Sequence, residues 1–192
     1  LGGGDRAQFR VSAGYLNQRG TVIGTDLKRL TSRAYLDYTV SDRLKFISEF
    51  SFIYTDNDRN YNYGGSILGI AYKKMPNVGV YAQDAQGNNT NKYYTIDRAS
   101  TLNSAQRDLP NPVALAMLAQ NNLKNFRIIP TLKLQYDITD PDVNYLRYNM
   151  YFTFDISNNK TSMFLPWEAT NSTWDSENVN KASSADQHTS SM

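Results

Sequence analysis

An all-β fold is predicted by three features of the chain. Two long hairpins have tight turns at one end and long polar loops at the other, their side chains alternate apolar and polar with a period of two, and aromatic residues gather at both ends of the apolar face. Together these predict an antiparallel meander forming part of a transmembrane β-barrel, with long extracellular loops carrying short helices. Barrel walls of that kind set short turns against long loops, and their strands need about 9 to 11 residues to cross a bilayer. A soluble β-sandwich also alternates and stands as the alternative, although sandwich strands are usually only about 5 to 6 residues long.

The elements follow in order. Gly2, Gly3 and Gly4 form a flexible start, and Phe9, Val11, Ala13 and Tyr15 alternate along a first strand over 7–16. A loop over 17–26 contains Gly20 and Gly24. The first hairpin runs over 27–40, turns at 41–43 and returns over 44–56. Its apolar face carries Leu30, Ala34, Leu36, Tyr38, Val40, Leu44, Phe46, Phe50, Phe52 and Tyr54, and its polar face carries Arg29, Arg33, Asp37, Lys45 and Glu49. The second hairpin runs over 125–138, turns at 139–142 and returns over 145–156. Ile128, Leu132, Leu134, Tyr136, Tyr148, Met150, Phe152 and Phe154 share its apolar face, and Arg127, Lys133 and Arg147 its polar face. Tyr15, Tyr54 and Phe126 lie near the loop ends and Tyr38 and Tyr136 near the turn ends, as two interfacial girdles require. Pro130 cannot donate to a ladder, so a bulge or a break is expected there.

Residues 1–156 are thus read as a partial barrel wall of about five strands, interrupted by a large extracellular loop over 57–124, and 157–192 as a truncated, mobile extracellular loop rich in Ser and Asn. Within the large loop a short helix is expected around Ile67 to Ala71, and a second over 112–120 with Asn111 as N-cap and Pro112 at the first helical position. The stretch 84–91 reads as turn-rich and exposed. Five strands cannot close a barrel, and an open edge in hydrocarbon leaves unpaired N–H and C=O groups, so the expectation is a section of a longer chain. The start, Leu1-Gly2-Gly3-Gly4-Asp5, lacks the basic and apolar regions of a secretory signal.

A net charge of +2 gives no basic field for nucleic acid, and the absence of cysteine removes disulfides, thiolate metal sites and a cysteine nucleophile. The sole histidine, His188, lies in the Ser-rich tail with nothing to hold it, so no catalytic residue is expected and a hydrolase is disfavoured. Asp56, Asp58 and Asn60 have the opening spacing of a calcium loop, but Tyr61 replaces its sharp-turn glycine and Ile67 its bidentate acid. Neither a metal nor a cofactor is expected. Tyr61, Tyr63, Tyr72, Tyr81, Tyr93 and Tyr94 crowd the large loop, with Trp167 and Trp174 in the last. Such rings stack on sugars or pack on partners, and they also pack on one another. The polar-face set Arg29, Arg33, Asp37, Lys45, Glu49, Arg127, Lys133 and Arg147 is expected to face the barrel lumen. Register sets Tyr35 opposite Glu49 and Asp37 opposite Ile47, so Arg33, Asp37, Lys45 and Glu49 are expected to form a cross-strand lattice.

Several segments resemble those of one family. Gly14-Tyr15-Leu16-Asn17-Gln18-Arg19-Gly20 followed by Thr25-Asp26-Leu27-Lys28-Arg29, then Val40-Ser41-Asp42-Arg43-Leu44-Lys45, Met75-Pro76-Asn77, Asn111-Pro112-Val113-Ala114 and Phe164-Leu165-Pro166, are similar in order and spacing to the SusC/RagA family of TonB-dependent outer-membrane transporters of Bacteroidetes. The resemblance departs at Tyr35, where the family commonly has asparagine. It implies an early section of a 22-stranded, plugged barrel in the outer membrane of a Gram-negative, Bacteroidetes-like bacterium. The implied role is non-enzymatic nutrient uptake of oligosaccharides or peptides. The implied partners are outer-membrane lipid, a SusD-like surface lipoprotein, and the TonB system acting through other parts of the chain. On the sandwich alternative the chain would be a soluble ligand-binding module.

Overall fold

The computed structural model describes residues 2–96, 101, 104–139, 146–170 and 180–192. In chain order its elements are β1 (Gly2–Gly4), β2 (Ala7–Arg19), β3 (Asp26–Ser41), β4 (Leu44–Arg59), α1 (Ile67–Lys73), β5 (Tyr81–Gln83), β6 (Asn89–Tyr93), α2 (Ser104–Arg107), α3 (Pro112–Leu118), β7 (Gln120–Asp137), β8 (Arg147–Thr153), β9 (Asp155–Leu165), a 3-10 turn (Trp167–Ala169) and β10 (Lys181–Ser191). The chain is all-β and antiparallel. One large sheet has the order β1-β2-β3-β4-β7-β9-β10, with β8 also on β7, and β5 and β6 form a separate hairpin.

Register carries the two-residue alternation across the whole sheet. Phe9 lies opposite Leu36, Leu36 opposite Ser48, Ser48 opposite Leu132 and Leu132 opposite Phe152, so apolar side chains of successive strands share one face. The apolar face ends in aromatic rows at both heights: Tyr15, Leu30, Tyr54 and Phe126 in one, Leu44, Tyr136 and Tyr148 in the other. Beyond the first of these rows the same face turns polar at Lys28, Asp56, Lys124 and Lys160. Tyr35 lies opposite Glu49 and Asp37 opposite Ile47, as expected.

No second sheet covers the apolar face among the described residues, so the packing that a sandwich requires is not formed there. Phe50 remains 40% exposed and Phe152 45%. The buried hydrophobic residues lie at one end of the sheet, in a crest built from the 60–119 excursion, the loop after β2 and the end of β9. There Ile67 and Ile70 of α1, Leu115 of α3, Leu165 of β9 and Ala169 close into one cluster, with Val22, Tyr61, Tyr63 and Leu118 packed against it. Each fully buried Leu or Ile stabilises the crest by about 1.5 to 3 kcal/mol.

The crest helices form where their caps permit. Ser66 accepts from Gly69 N–H at 3.2 Å to start α1. Asn111 accepts from Val113 N–H at 3.1 Å and Ala114 N–H at 3.3 Å to start α3, as its position before Pro112 predicts.

Three expectations are corrected. First, the excursion spans 60–119, because β4 continues to Arg59 and β7 starts at Gln120. Second, 157–192 is not a loop throughout. β9 runs on to Leu165, and β10 pairs with it from Lys181 opposite Leu165 to Ser191 opposite Asp155. His188 therefore sits on a strand, opposite Asn158.

Third, Pro130 neither bulges nor shortens β7. In an antiparallel pair a residue's N–H and C=O point to the same side, and Pro130 turns that side away from β4. Its carbonyl accepts from Phe154 N–H at 3.0 Å, and its missing N–H leaves only the return bond unmade. The interruption falls in the partner, between β8 and β9 at Phe154, with register unchanged on either side. The turn-rich stretch over 84–91 is exposed but for Thr90, and β6 begins within it at Asn89. The turn expected at 139–142 and the strand start at Tyr145 lie largely outside the described residues.

Candidate functional site

The crest holds a cavity of about 590 Å³ whose lining combines Tyr93, Trp167 and Leu118 with Lys92, Glu168 and Thr95. Three separate segments meet there. Tyr93 is presented by the β5–β6 hairpin, where it stacks on Tyr81 with centroids 5.4 Å apart and ring planes 24° from parallel. That hairpin is held by its turn: the Asp84 carboxylate accepts from Asn88 N–H at 2.8 Å and Gln86 N–H at 3.0 Å. These bonds, the one from Asn88 first, hold the Asp84 carboxyl below its ordinary pKa.

Asn111 locks the hairpin to α3. While its amide oxygen caps the helix, its amide nitrogen donates to Val80 O at 2.8 Å and to Tyr94 O at 3.1 Å, so a buried polar side chain is fully satisfied. Gln106 does similar work for α1, accepting from Met75 N–H at 3.0 Å and donating to Lys73 O at 2.7 Å. Beside it Lys74 donates to Leu109 O at 2.7 Å, and burial lowers its pKa. Trp167 is set by Pro166 and the 3-10 turn, and its backbone N–H donates to Asn180 Oδ1 at 3.0 Å. Two rings beside Lys92, Glu168 and Thr95 have the chemistry to stack on and hydrogen-bond to an amphipathic ligand.

Of the aromatic residues expected at a ligand or partner surface, the structure brings Tyr93 and Trp167 together and adds Tyr81 behind them. Tyr61 and Tyr63 pack instead on the crest core. Tyr94 is half-buried, its backbone N–H donating to Val80 O at 2.9 Å. Tyr72 is 86% exposed on α1, away from the cavity. Trp174 lies outside the described residues. Glu168, Thr95 and Leu118 escape sequence reading, because nothing in their spacing ties three segments so far apart in the chain.

A second cavity, of about 650 Å³, is lined by Asp26, Asp58, Arg59, Asn122, Lys124 and their neighbours. Its acids are already engaged. Asn122 Nδ2 donates to Asp56 at 2.6 Å and to Asp58 at 2.7 Å, and Lys124 lies 3.9 Å from Asp56. Among the described residues no group of acids or histidines has the arrangement of a metal site.

The polar face of the sheet carries cross-strand ion pairs. Lys45 meets Asp37 at 2.8 Å, Arg147 grips Asp137 through two bonds of 2.6 and 3.1 Å, and Arg127 forks onto Asp155, its Nε at 2.9 Å. Lys133 lies over the Tyr151 ring, 5.1 Å from its centroid. The expected lattice of Arg33, Asp37, Lys45 and Glu49 is realised only at Asp37 and Lys45. Arg29, Arg33 and Glu49 share the face and enter no ion pair among the described residues.

No protein-family model matches the chain. The chain is similar to TonB-dependent receptor P3 of Formosa agariphila, with 26% identity over 172 residues, a match that covers 86% of this chain and 16% of that receptor. The chain therefore spans about 16% of the length of the curated relative it matches.

Proposed function

We propose that the chain is a section of the barrel wall and extracellular crest of a TonB-dependent outer-membrane importer of oligosaccharides or peptides, SusC/RagA-like and non-enzymatic. In this reading the apolar face meets lipid and the polar face, with Arg29, Arg33, Asp37, Lys45, Glu49, Arg127, Lys133 and Arg147, lines the lumen. The crest meets substrate and a SusD-like surface lipoprotein, and TonB acts on parts of the protein beyond these residues. The observation that carries the reading is the height of the apolar face. Between its aromatic rows β7 advances from Phe126 to Tyr136, and those residues, rising about 3.4 Å each at a barrel tilt of about 40°, span about 25 Å, the height of the lipid-facing band of outer-membrane barrels. Similarity to a TonB-dependent receptor supports the same reading.

The test uses the full-length protein in its outer membrane. A short epitope inserted after Gln86, in the β5–β6 turn, should be labelled by antibody on intact cells, whereas the same epitope between Asp42 and Arg43 should be labelled only after permeabilisation. In the same cells, Tyr93→Ala with Trp167→Ala should lower TonB-dependent uptake about tenfold at subsaturating substrate, the worth of two stacking rings. Labelling at both sites on intact cells would refute the topology, and undiminished uptake would refute the role of the crest cavity.

A further inference from the structure

On the polar face the acids of one side are paired within the wall and a row of cations on the other is left over. Asp37, Asp137 and Asp155 are taken up by Lys45, Arg147 and Arg127. Arg10, Arg33 and Arg29 are exposed and enter no ion pair or side-chain hydrogen bond among the described residues. Their places follow from register: Arg10 opposite Tyr35, Arg33 opposite Ser12 and Arg29 opposite Leu16. All three therefore project from the polar face and climb β3 from its turn end toward the crest. Arg10 and Arg33 are diagonal neighbours across the β2–β3 pair, about 7 to 8 Å apart, where like charges repel unless an anion compensates. Glu49, opposite Tyr35, is near in register but forms no ion pair with either.

We propose that this arginine stripe of β2 and β3 attracts carboxylate or sulfate groups of the imported molecule and favours anionic over neutral substrates in the lumen. The inference rests on the barrel reading given above. The plug that the resemblance implies is the other occupant of such a wall, and the lack of closed pairs at Arg10, Arg29 and Arg33 among the described residues argues that it leaves this stripe open to solute. Where this wall holds an acid permanently it does so with a closed pair, as at Arg147 and Asp137. Separate exposed guanidinium forks, each matched to a planar or tetrahedral oxyanion, instead offer successive stations that are favourable to enter and weak enough to leave. Confinement by low-dielectric walls concentrates the counter-charge they draw.

The chain contains no cysteine, so one placed on the stripe reports its local potential. In the full-length protein, with any cysteine elsewhere replaced by serine, Ser12→Cys would be labelled with sulfonate-bearing and with trimethylammonium-bearing methanethiosulfonates. The sulfonate reagent should react at least about tenfold faster, after correction for the reagents' intrinsic rates. The preference should vanish in the Arg10→Gln, Arg29→Gln, Arg33→Gln triple variant and shrink in about 1 M salt. Oligogalacturonate should slow the labelling, and its neutral methyl ester should not.

Equal reagent rates, a preference that survives the triple variant, or equal effects of the two oligomers would overturn the proposal. An unreactive Ser12→Cys would mean that a seated domain covers the stripe, and would overturn it too. Ser48→Cys, on the apolar face, separates the two levels. Its protection from both reagents keeps the barrel reading whatever happens at Ser12, whereas labelling at the Ser12 rate would sink the barrel reading itself.

Discussion

Asn111 shows how much one side chain can hold. Its four hydrogen bonds start α3 and tie it to the carbonyls of Val80 and Tyr94. Asn111→Ala removes the cap and strands two acceptors, which should cost the crest about 2 to 4 kcal/mol. Asn111→Asp keeps the cap but sets a buried carboxylate oxygen against the Val80 and Tyr94 carbonyls, so it should cost at least as much. Hydrogen exchange of the 104–118 amides in the full-length protein would read the difference. Asp84 sets a pH window for the hairpin that presents Tyr93. Its folded pKa is depressed from 3.8, so the stability it contributes is present above that value and lost as pH falls through the lower, folded one. The Asn88 amide should lose protection as pH falls through that lower value, and Asp84→Ala, which removes the acceptor, should leave it exposed at every pH.

At the level of elements, the sheet distinguishes its two faces by one residue's step. Phe50→Arg, at mid-height of the apolar face and opposite Pro130, should destabilise the folded state in bilayers by about 2 to 4 kcal/mol, whereas Thr131→Arg on the polar face, opposite Glu49, should be tolerated; urea titration in vesicles would compare them. The strands that alternate were legible for this reason. Phe46, Phe50, Phe52, Leu132 and Phe152 advertise their shared face before any fold is known. The helix caps were legible too, since Asn111 and Pro112 act locally. β10 was not. Its Ser, Asp and Gln residues carry no apolar period, and it becomes a strand only because β9 offers it a register along its whole length. The crest cavity was legible in residue type at Tyr93 and Trp167 but not in composition, because Glu168, Thr95 and Leu118 reach it only through tertiary packing.

For the whole molecule, the sheet is a wall whose apolar face and edges are unsatisfied by anything in the described residues. Expressed alone in water, residues 1–192 should associate through that face and those edges, and size-exclusion chromatography in detergent-free buffer should show no monomer peak. A cooperatively melting monomer would contradict the barrel reading. The location of the buried side chains has a consequence for biogenesis. Ile67, Ile70, Leu115, Leu165 and Ala169 come from three stretches of chain that the pairing of β7 with β4 and β9 holds at one end of the sheet. On the proposed topology a core drawn from stretches so far apart in the chain is completed on the outer side, where no nucleotide is available to drive it. Burial of a handful of aliphatic side chains would then shut the crest in place.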